Sequence, residues 1–150
     1  MSQSLVKINL HIIFSTKNRT KWINEAISGE LYSYISAIGK DNGSFIYRIG
    51  GIENHIHIAC TLPKTIAISS LIETFKTGSS KWIKTQGSEY NRFAWQNGYA
   101  AFSIGQSQID TLIRYITEQR KHHHKKTFKD ELIEIFKIYN VEYDEKYLWN

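Results

Sequence analysis

The most informative stretch of this chain is Gly50-Gly51-Ile52-Glu53-Asn54-His55-Ile56-His57-Ile58-Ala59-Cys60. After the two glycines, apolar residues alternate with other residues, and this pattern predicts a half-buried strand. Successive side chains of a strand point to opposite faces, so we expect His55 and His57 to lie on one face and the apolar residues on the other. One face of this strand would therefore enter a core, while the other would present two imidazoles side by side.

The two histidines are compatible with more than one role. Two neutral imidazoles on a rigid strand supply two ligands for a divalent cation and leave positions open for a substrate. The same pair also suits an ordinary polar outer face of a sheet. The pair alone does not decide between these interpretations, which depend on residues further along the chain.

The size and composition of the chain predict a single domain over residues 1–150. The chain is 41% hydrophobic, which is ample for one core and leaves no obvious room for two. The sequence contains no long apolar run and no signal-peptide pattern after Met1, so we expect a cytoplasmic protein without a membrane span. Its single cysteine, Cys60, cannot form an internal disulfide, and the lack of clustered cysteines argues against a structural zinc site.

The charge is distributed unevenly along the chain. Residues 1–126 contain 16 Lys and Arg against 8 Asp and Glu, whereas residues 127–150 contain 3 against 6. A basic body with an acidic tail is typical of a surface that binds a polyanion together with a separate packing element. An ordinary soluble basic protein shows the same balance, so the charge becomes informative only beside a site that acts on phosphates.

Periodic patterns predict the remaining elements. We expect strands over 4–15 and 45–49, a helix over 22–40, and a second helix marked by the apolar residues between Ile68 and Trp82. Asn97-Gly98, flanked by aromatic residues, predicts a hairpin within 93–104. Capping patterns that begin at Ser107 and Thr127 predict a third and a fourth helix. This order indicates an α+β fold, a ferredoxin-like or RRM-like antiparallel sheet with helices packed on one face.

The third helix carries a candidate nucleophile. Tyr115 and Gln119 are one helical turn apart on the flank of its apolar stripe, so their side chains should meet. A tyrosine hydroxyl attacks a phosphodiester if a metal ion polarises the phosphate. His55, His57 and the Gln119 amide oxygen would give such an ion three ligands, a set that suits Mg²⁺ or Mn²⁺. The alternative is that Tyr115 is a packing residue at the rim of an amphipathic helix.

Basic residues outside this predicted site are candidate DNA contacts. Lys17 and Arg19 lie in a loop after the first strand, and Lys76, Lys81 and Lys84 lie on one side of the second helix. Such side chains position a nucleic-acid backbone by binding its phosphates. They also commonly just solvate a loop or a helix face. The basic run 121–126 is best interpreted as a linker.

Three separated motifs resemble those of one protein family. They are Gly50-Gly51-x-x-Asn54-His55-Ile56-His57, the segment from Phe93-Ala94-Trp95-Gln96 to Ala101-Phe102-Ser103, and Tyr115-Ile116-x-x-Gln119. In order and spacing they are similar to the single-tyrosine HUH transposases, the type-A transposases of small insertion sequences and their REP-associated relatives. HUH denotes histidine, hydrophobic residue, histidine. The resemblance spans nearly the whole chain, and the segment from Thr127 to Trp149 resembles that of the REP-associated relatives.

The resemblance implies an enzyme that cleaves and rejoins single-stranded DNA. Tyr115 would form a 5′-phosphotyrosine link, and His55, His57 and Gln119 would hold the metal ion. The resemblance also implies recognition of DNA hairpins and a homodimer with composite active sites. Two alternatives stay open at this point: a non-enzymatic nucleic-acid-binding module of similar fold, and a rolling-circle replication initiator or relaxase.

Overall fold

Four strands form one antiparallel sheet. The strands are β1 (Asn9–Ser15), β2 (Ile46–Ile52), β3 (His55–Thr61) and β4 (Ala100–Ile104), and their order in the sheet is β2-β3-β1-β4. The computed structural model describes residues 2–123 and 125–148. His124, in the predicted linker, and Trp149, in the tail that resembles REP-associated relatives, lie outside these residues.

Helices cover both faces of the sheet. Their bounds are α1 (Glu25–Asp41), α2 (Ile68–Lys84), α3 (Ile109–Thr117), α4 (Gln119–His122), α5 (Phe128–Ile138) and α6 (Glu145–Leu148). The order β1-α1-β2-β3-α2-β4 and the strand order confirm the predicted ferredoxin-like arrangement. The prediction that the helices lie on one face only is wrong, because α3, α4 and α5 cover the face that carries the histidines.

One face of the sheet forms the main core with α1 and α2. Alternate residues of the two central strands point to this face, as their spacing predicts. Leu31 and Ile35 of α1 and Leu71 and Phe75 of α2 pack against them and are fully buried. The buried strand residues of this core are Leu10, Ile12, Phe14, Ile49, Ile56, Ile58 and Cys60.

The opposite face combines two small apolar clusters with buried polar side chains. Ile13 and Phe102 pack against α5, and Ala59 packs against α3. Between these clusters, His11 of β1 and His55 and His57 of β3 are buried on the same face. This face therefore gains less apolar contact than the first and holds instead a group of polar side chains.

Glycines allow α3 to lie close to the sheet. A Cβ atom added to Gly50 would lie 2.6 Å from the carbonyl oxygen of Ile116, so no side chain fits between β2 and α3 at this point. A Cβ atom on Gly51 would overlap the carbonyl oxygen of His55. Gly50 thus lets the tyrosine helix lie close to β2, and Gly51 lets β2 lie close to the histidine strand β3.

The predicted hairpin around Asn97-Gly98 is wrong. The chain before β4 is irregular, with a single bridge between Trp95 and Thr16, and neither Asn97 nor Gly98 has a positive φ. The ammonium group of Lys76 instead binds the carbonyl oxygens of Gln96, Asn97 and Gly98 at 2.8, 3.3 and 2.7 Å. The ammonium group of Lys76 thus holds the carbonyl groups of this loop, and the turn that Asn97-Gly98 favours does not form.

Residues 2–123 and 125–148 contain no helix with both the length and the apolar character that crossing a membrane requires.

Candidate metal and tyrosine site

The two histidines of β3 present their Nε2 atoms to the same point. His55 and His57 are completely buried, because α3, α4 and α5 cover their face of the sheet. The Nδ1 atom of His55 lies 2.8 Å from Asn54 Oδ1, and that of His57 lies 2.8 Å from Nε2 of His11. With the Nδ1 protons given to these acceptors, both Nε2 lone pairs are free to bind a metal ion.

Tyr115 and Gln119 reach this point from the helical side, as predicted. They do not belong to one continuous helix, because α3 ends at Thr117 and Glu118, at φ −95° and ψ 19°, separates it from α4. Gln119 is buried, and its Oε1 lies 3.0 Å from His55 Nε2. The rings of Tyr115 and His57 are edge to face, with centroids 5.7 Å apart.

Glu131 of α5 contacts all of these side chains, and it was not identified as a site residue from the sequence. Its Oε1 lies 3.3 Å from His55 Nε2 and 3.1 Å from His57 Nε2. Its Oε2 accepts hydrogen bonds from the Tyr115 hydroxyl and, at 2.9 Å, from Gln119 Nε2. Because Gln119 donates its amide hydrogen to this carboxylate, its amide oxygen is turned toward His55.

The donor atoms of this group suit a cation. His55, His57 and Glu131 each offer one ligand atom, and these atoms lie within 4.8 Å of one another. Burial, which outweighs the hydrogen bond to Glu131, lowers the pKa of His55 to about 4, so its imidazole is neutral at pH 7. Nε2 of this neutral imidazole faces the oxygens of Gln119 and Glu131, and it donates a hydrogen bond to them when it carries the ring proton. A divalent ion would take the place of that proton, with the proton moved to Nδ1, so the residues fit the metal that the resemblance implies.

Electrostatics keep the carboxylate charged and the phenol neutral. Burial alone would raise the pKa of Glu131, but hydrogen bonds with His123, His55 and His57 hold this pKa far below its ordinary value. Burial and the neighbouring Glu131 charge raise the pKa of Tyr115. The phenol therefore keeps its proton in the absence of a metal ion.

His123 closes the group on the solvent side. Its Nδ1 lies 2.7 Å from the carbonyl oxygen of Lys126, and its Nε2 lies 3.2 Å from Glu131 Oε1. Both nitrogens face acceptors, which favours the protonated ring. Although burial opposes it, the hydrogen bond and charge of Glu131 raise the pKa of His123.

Two cavities have Tyr115 in their walls. The first, about 410 Å³, is lined mainly by charged side chains, among them Lys121, Lys125 and Lys126. The second, about 440 Å³, lies between α3 and α5 and is more apolar, with Leu112 and Tyr139 in its wall. Tyr115 therefore borders both a cavity of charged side chains and a more apolar one.

The basic residues predicted to contact DNA fall into three environments. Lys17 is exposed, and it and Arg19 lie in a 3₁₀ turn directly after β1. Lys81 and Lys84 are exposed on α2, beside a groove of about 630 Å³. Lys76 is half-buried against the carbonyl oxygens of residues 96–98, and burial lowers its pKa to about 8.

Signals for two of the missed residues exist in the sequence. Glu131 falls on the apolar stripe of α5, between Phe128 and Leu132, where a carboxylate must be buried. His11 is a lone histidine in the first strand, and its register opposite Ala59 places it next to His57 in the folded sheet.

Comparisons with known proteins agree with this architecture. Residues 4–119, more than three quarters of the chain, match the family described as IS200-like transposases. A search of curated proteins finds no match. Among solved structures, a candidate transposase from Deinococcus radiodurans R1 aligns with a TM-score of 0.61 and 16% identity, covering 79% of this chain and 98% of the other. A REP-associated tyrosine transposase bound to a REP hairpin aligns with a TM-score of 0.59 and 17% identity, covering 82% and 74%.

The two structural alignments have low sequence identity, so they support the fold. The family match rests on the sequence itself and includes the histidine strand, Tyr115 and Gln119. It ends before α5, the helix that carries Glu131. On the strength of that match, the chain belongs to the IS200-like transposase family.

Proposed function

We propose that this transposase cleaves and rejoins single-stranded DNA through a covalent link to Tyr115. The observation that supports the proposal is the convergence of the Tyr115 hydroxyl, the Gln119 amide and two imidazoles on one buried carboxylate. A packing tyrosine needs none of these partners. A nucleophile that acts beside a metal ion needs such an arrangement.

In the proposed reaction, the phenol oxygen of Tyr115 attacks the scissile phosphorus. A Tyr–O–P bond forms and the P–O3′ bond breaks, so that the phosphate stays attached to the 5′ oxygen of the downstream fragment and the upstream fragment ends in a free 3′-hydroxyl. The phenol loses its proton, and the departing 3′ oxygen gains one. Attack by another 3′-hydroxyl on the phosphotyrosine reverses the step and joins the strands.

His55, His57 and Gln119 would hold a divalent ion, Mg²⁺ or Mn²⁺. When bound, this ion polarises the phosphate and stabilises the departing oxygen. With the ion bound, Asn54 Oδ1 and His11 Nε2 would orient the imidazoles, because each lies 2.8 Å from the Nδ1 atom of one histidine and would accept its proton. Burial of all three ligands excludes water that would compete for the ion.

The substrate in this proposal is single-stranded DNA that carries a hairpin. The net charge of +5 favours a phosphate backbone, and Lys121, Lys125 and Lys126 in the mixed-charge cavity beside Tyr115 could bind it. Lys81 and Lys84 on α2 and Lys17 and Arg19 after β1 are proposed to bind the hairpin. Lys76 is proposed to act mainly through the loop that it holds. One solved relative is bound to a REP hairpin, which motivates hairpins as test substrates.

A covalent adduct on a denaturing gel tests this function. The substrates are fluorescent single strands built from palindromes that flank the gene, with Mn²⁺ or Mg²⁺ present. We expect an adduct with the wild-type chain and with Tyr34→Phe, a matched control on α1. We expect none with Tyr115→Phe, which should bind the DNA as tightly as the wild type.

Two outcomes would contradict the proposal. Tight DNA binding without any adduct, across both metals and several hairpins, would favour a non-enzymatic binding module. An adduct that persists in Tyr115→Phe would identify a different nucleophile. Either result is distinct from loss of folding, which circular dichroism on each variant detects.

We further propose that the protein acts as a homodimer with composite sites, in which Tyr115 of one chain takes, at the histidine site of its partner, the place that Tyr115 occupies within the single chain. Light scattering tests the dimer directly. Mixing His57→Ala chains with Tyr115→Phe chains tests the composite site, because one intact site then forms from two damaged chains. Recovery of the adduct in the mixture is the expected result, and no recovery would indicate that each site belongs to one chain.

A further inference from the structure

Glu131 comes from a part of the chain that the family match does not include. The match ends at residue 119, whereas Glu131 lies on α5, which begins at Phe128. Only 4% of its surface is exposed, although it carries a charge. A buried carboxylate is costly unless it is paired or bound to a metal ion, so its place among the imidazoles calls for a role.

The spacing of the donor atoms matches a coordination sphere. Adjacent ligands on an octahedral ion with bonds of about 2.1 Å lie about 3 Å apart. Glu131 Oε1 is 3.3 Å from His55 Nε2 and 3.1 Å from His57 Nε2. Gln119 Oε1 is 3.0 Å from the same His55 atom. These four atoms, from three segments of the chain, can therefore surround one cation.

The second carboxylate oxygen faces the nucleophile. Glu131 Oε2 accepts the hydrogen bond of the Tyr115 hydroxyl, while Oε1 faces the histidines. A carboxylate that binds an ion through one oxygen and a phenol through the other fixes the distance between them. It also adds a negative charge to a site whose other donors are two imidazoles and an amide, which favours a hard cation such as Mn²⁺ or Mg²⁺.

We propose that Glu131 is a further ligand of the divalent ion and that its second oxygen holds Tyr115 beside that ion. This inference rests on the proposed function, because it concerns the same site. Helix α5, outside the family-matched segment, then completes the site. The opposite interpretation is that Glu131 fills the site as an ion-pair partner and leaves when a cation enters.

Metal binding to the purified full chain separates these interpretations without measuring catalysis. Electron paramagnetic resonance reports free Mn²⁺ during a titration and so gives its dissociation constant. We expect Glu131→Gln to weaken Mn²⁺ binding at least about tenfold, since the charge of the ligands sets the affinity. The control is Glu134→Gln, one turn further along α5, where the carboxylate pairs with Lys126 at the surface. It should bind Mn²⁺ as the wild type does.

Hydrogen exchange gives a second test, because an ion bound by Glu131 should change the exchange rates of the amides in α5. Adding Mn²⁺ should slow the exchange of amides in 128–138 in the wild type, because the ion joins α5 to the sheet. This protection should be absent in Glu131→Gln. Glu131→Asp keeps the charge but shortens the side chain, and we expect intermediate affinity. Thermal melting without metal checks that each variant is folded.

Unchanged or tighter Mn²⁺ binding by Glu131→Gln would overturn the inference and favour the ion-pair interpretation. Its failure differs from failure of the proposed function. If Mn²⁺ binding depends on Glu131 but the wild-type chain forms no adduct, only the cleavage proposal is refuted. If an adduct forms and needs Tyr115 but Mn²⁺ binding does not depend on Glu131, only this inference is refuted.

Discussion

The two faces of the sheet use the same strands for different purposes. Ile56 and Ile58 of β3 enter a large apolar core under α1 and α2. His55 and His57, their neighbours in sequence, lie in a polar group under α3, α4 and α5. The first face gains its stability from close packing. The second face holds charges and imidazoles that packing alone does not require.

This difference indicates how stability and chemistry are divided in the molecule. The apolar face provides the burial that supports the sheet as a rigid platform. The polar face holds three buried histidines and a carboxylate, which lower stability unless they are bonded to one another or to a cation. Changes on the first face should therefore alter folding, whereas changes on the second should alter ion binding.

The largest expected effect is on the apolar face. Phe14 is fully buried, and its ring meets that of Trp95 edge to face, with centroids 4.8 Å apart. Phe14→Ala should lower the free energy of unfolding by about 3–5 kcal/mol, because it leaves a cavity in the main core. Denaturant titration measures this loss. A loss below about 1 kcal/mol would show that this face is not the main source of stability.

The pH dependence of stability reports on the polar face. His55 has a pKa near 4 in the folded chain and about 6.5 when unfolded, so between these values the unfolded state binds the extra proton. Stability of the metal-free protein should therefore fall as the pH drops from 6.5 to 4, by up to roughly 3 kcal/mol from this residue.

Denaturant titrations at several pH values measure this dependence. His55→Gln is the comparison variant, because it removes the titrating group and should flatten the curve. An equally steep curve in that variant would assign the dependence to other groups.

A smaller effect is expected at Lys76, a cation on the apolar side. Its ammonium group binds three carbonyl oxygens and lies 5.1 Å from the centre of the Phe14 ring. Lys76→Met keeps the aliphatic chain but leaves carbonyl groups without this donor, which should cost about 1–3 kcal/mol. Thermal melting measures the loss, and Lys81→Met, at an exposed position, is the control. Equal melting temperatures for Lys76→Met and Lys81→Met would indicate that the loop does not depend on Lys76 and would favour a direct contact between Lys76 and DNA.

Much of the fold follows from local patterns. Alternation in β1 and β3 and apolar stripes in α1 and α2 assign these elements and their buried faces, because burial and periodicity agree. Thr127 caps α5 as its pattern predicts, accepting a hydrogen bond from the Asp130 amide. The similar pattern at Ser107 fails, because α3 begins after a 3₁₀ turn over Gln106–Gln108.

The candidate site is only partly readable from sequence. His55, His57, Tyr115 and Gln119 are recognisable from their spacing and from the family motifs, and the structure brings them together. Glu131 becomes visible only when α5 is placed over the histidine face, a long-range contact that no local pattern specifies. The hairpin prediction at 96–98 fails for the same reason, because Lys76, whose ammonium group binds the carbonyl oxygens of this loop, comes from α2.

Crystals grown with Mn²⁺ and measured at an anomalous wavelength test the central claim most directly. The account predicts a single strong peak about 2.1 Å from the Nε2 atoms of His55 and His57, with the Tyr115 hydroxyl beside it. A well-ordered site without a peak, at saturating Mn²⁺, or a Tyr115 side chain far from the histidines in every chain of the crystal, would contradict it.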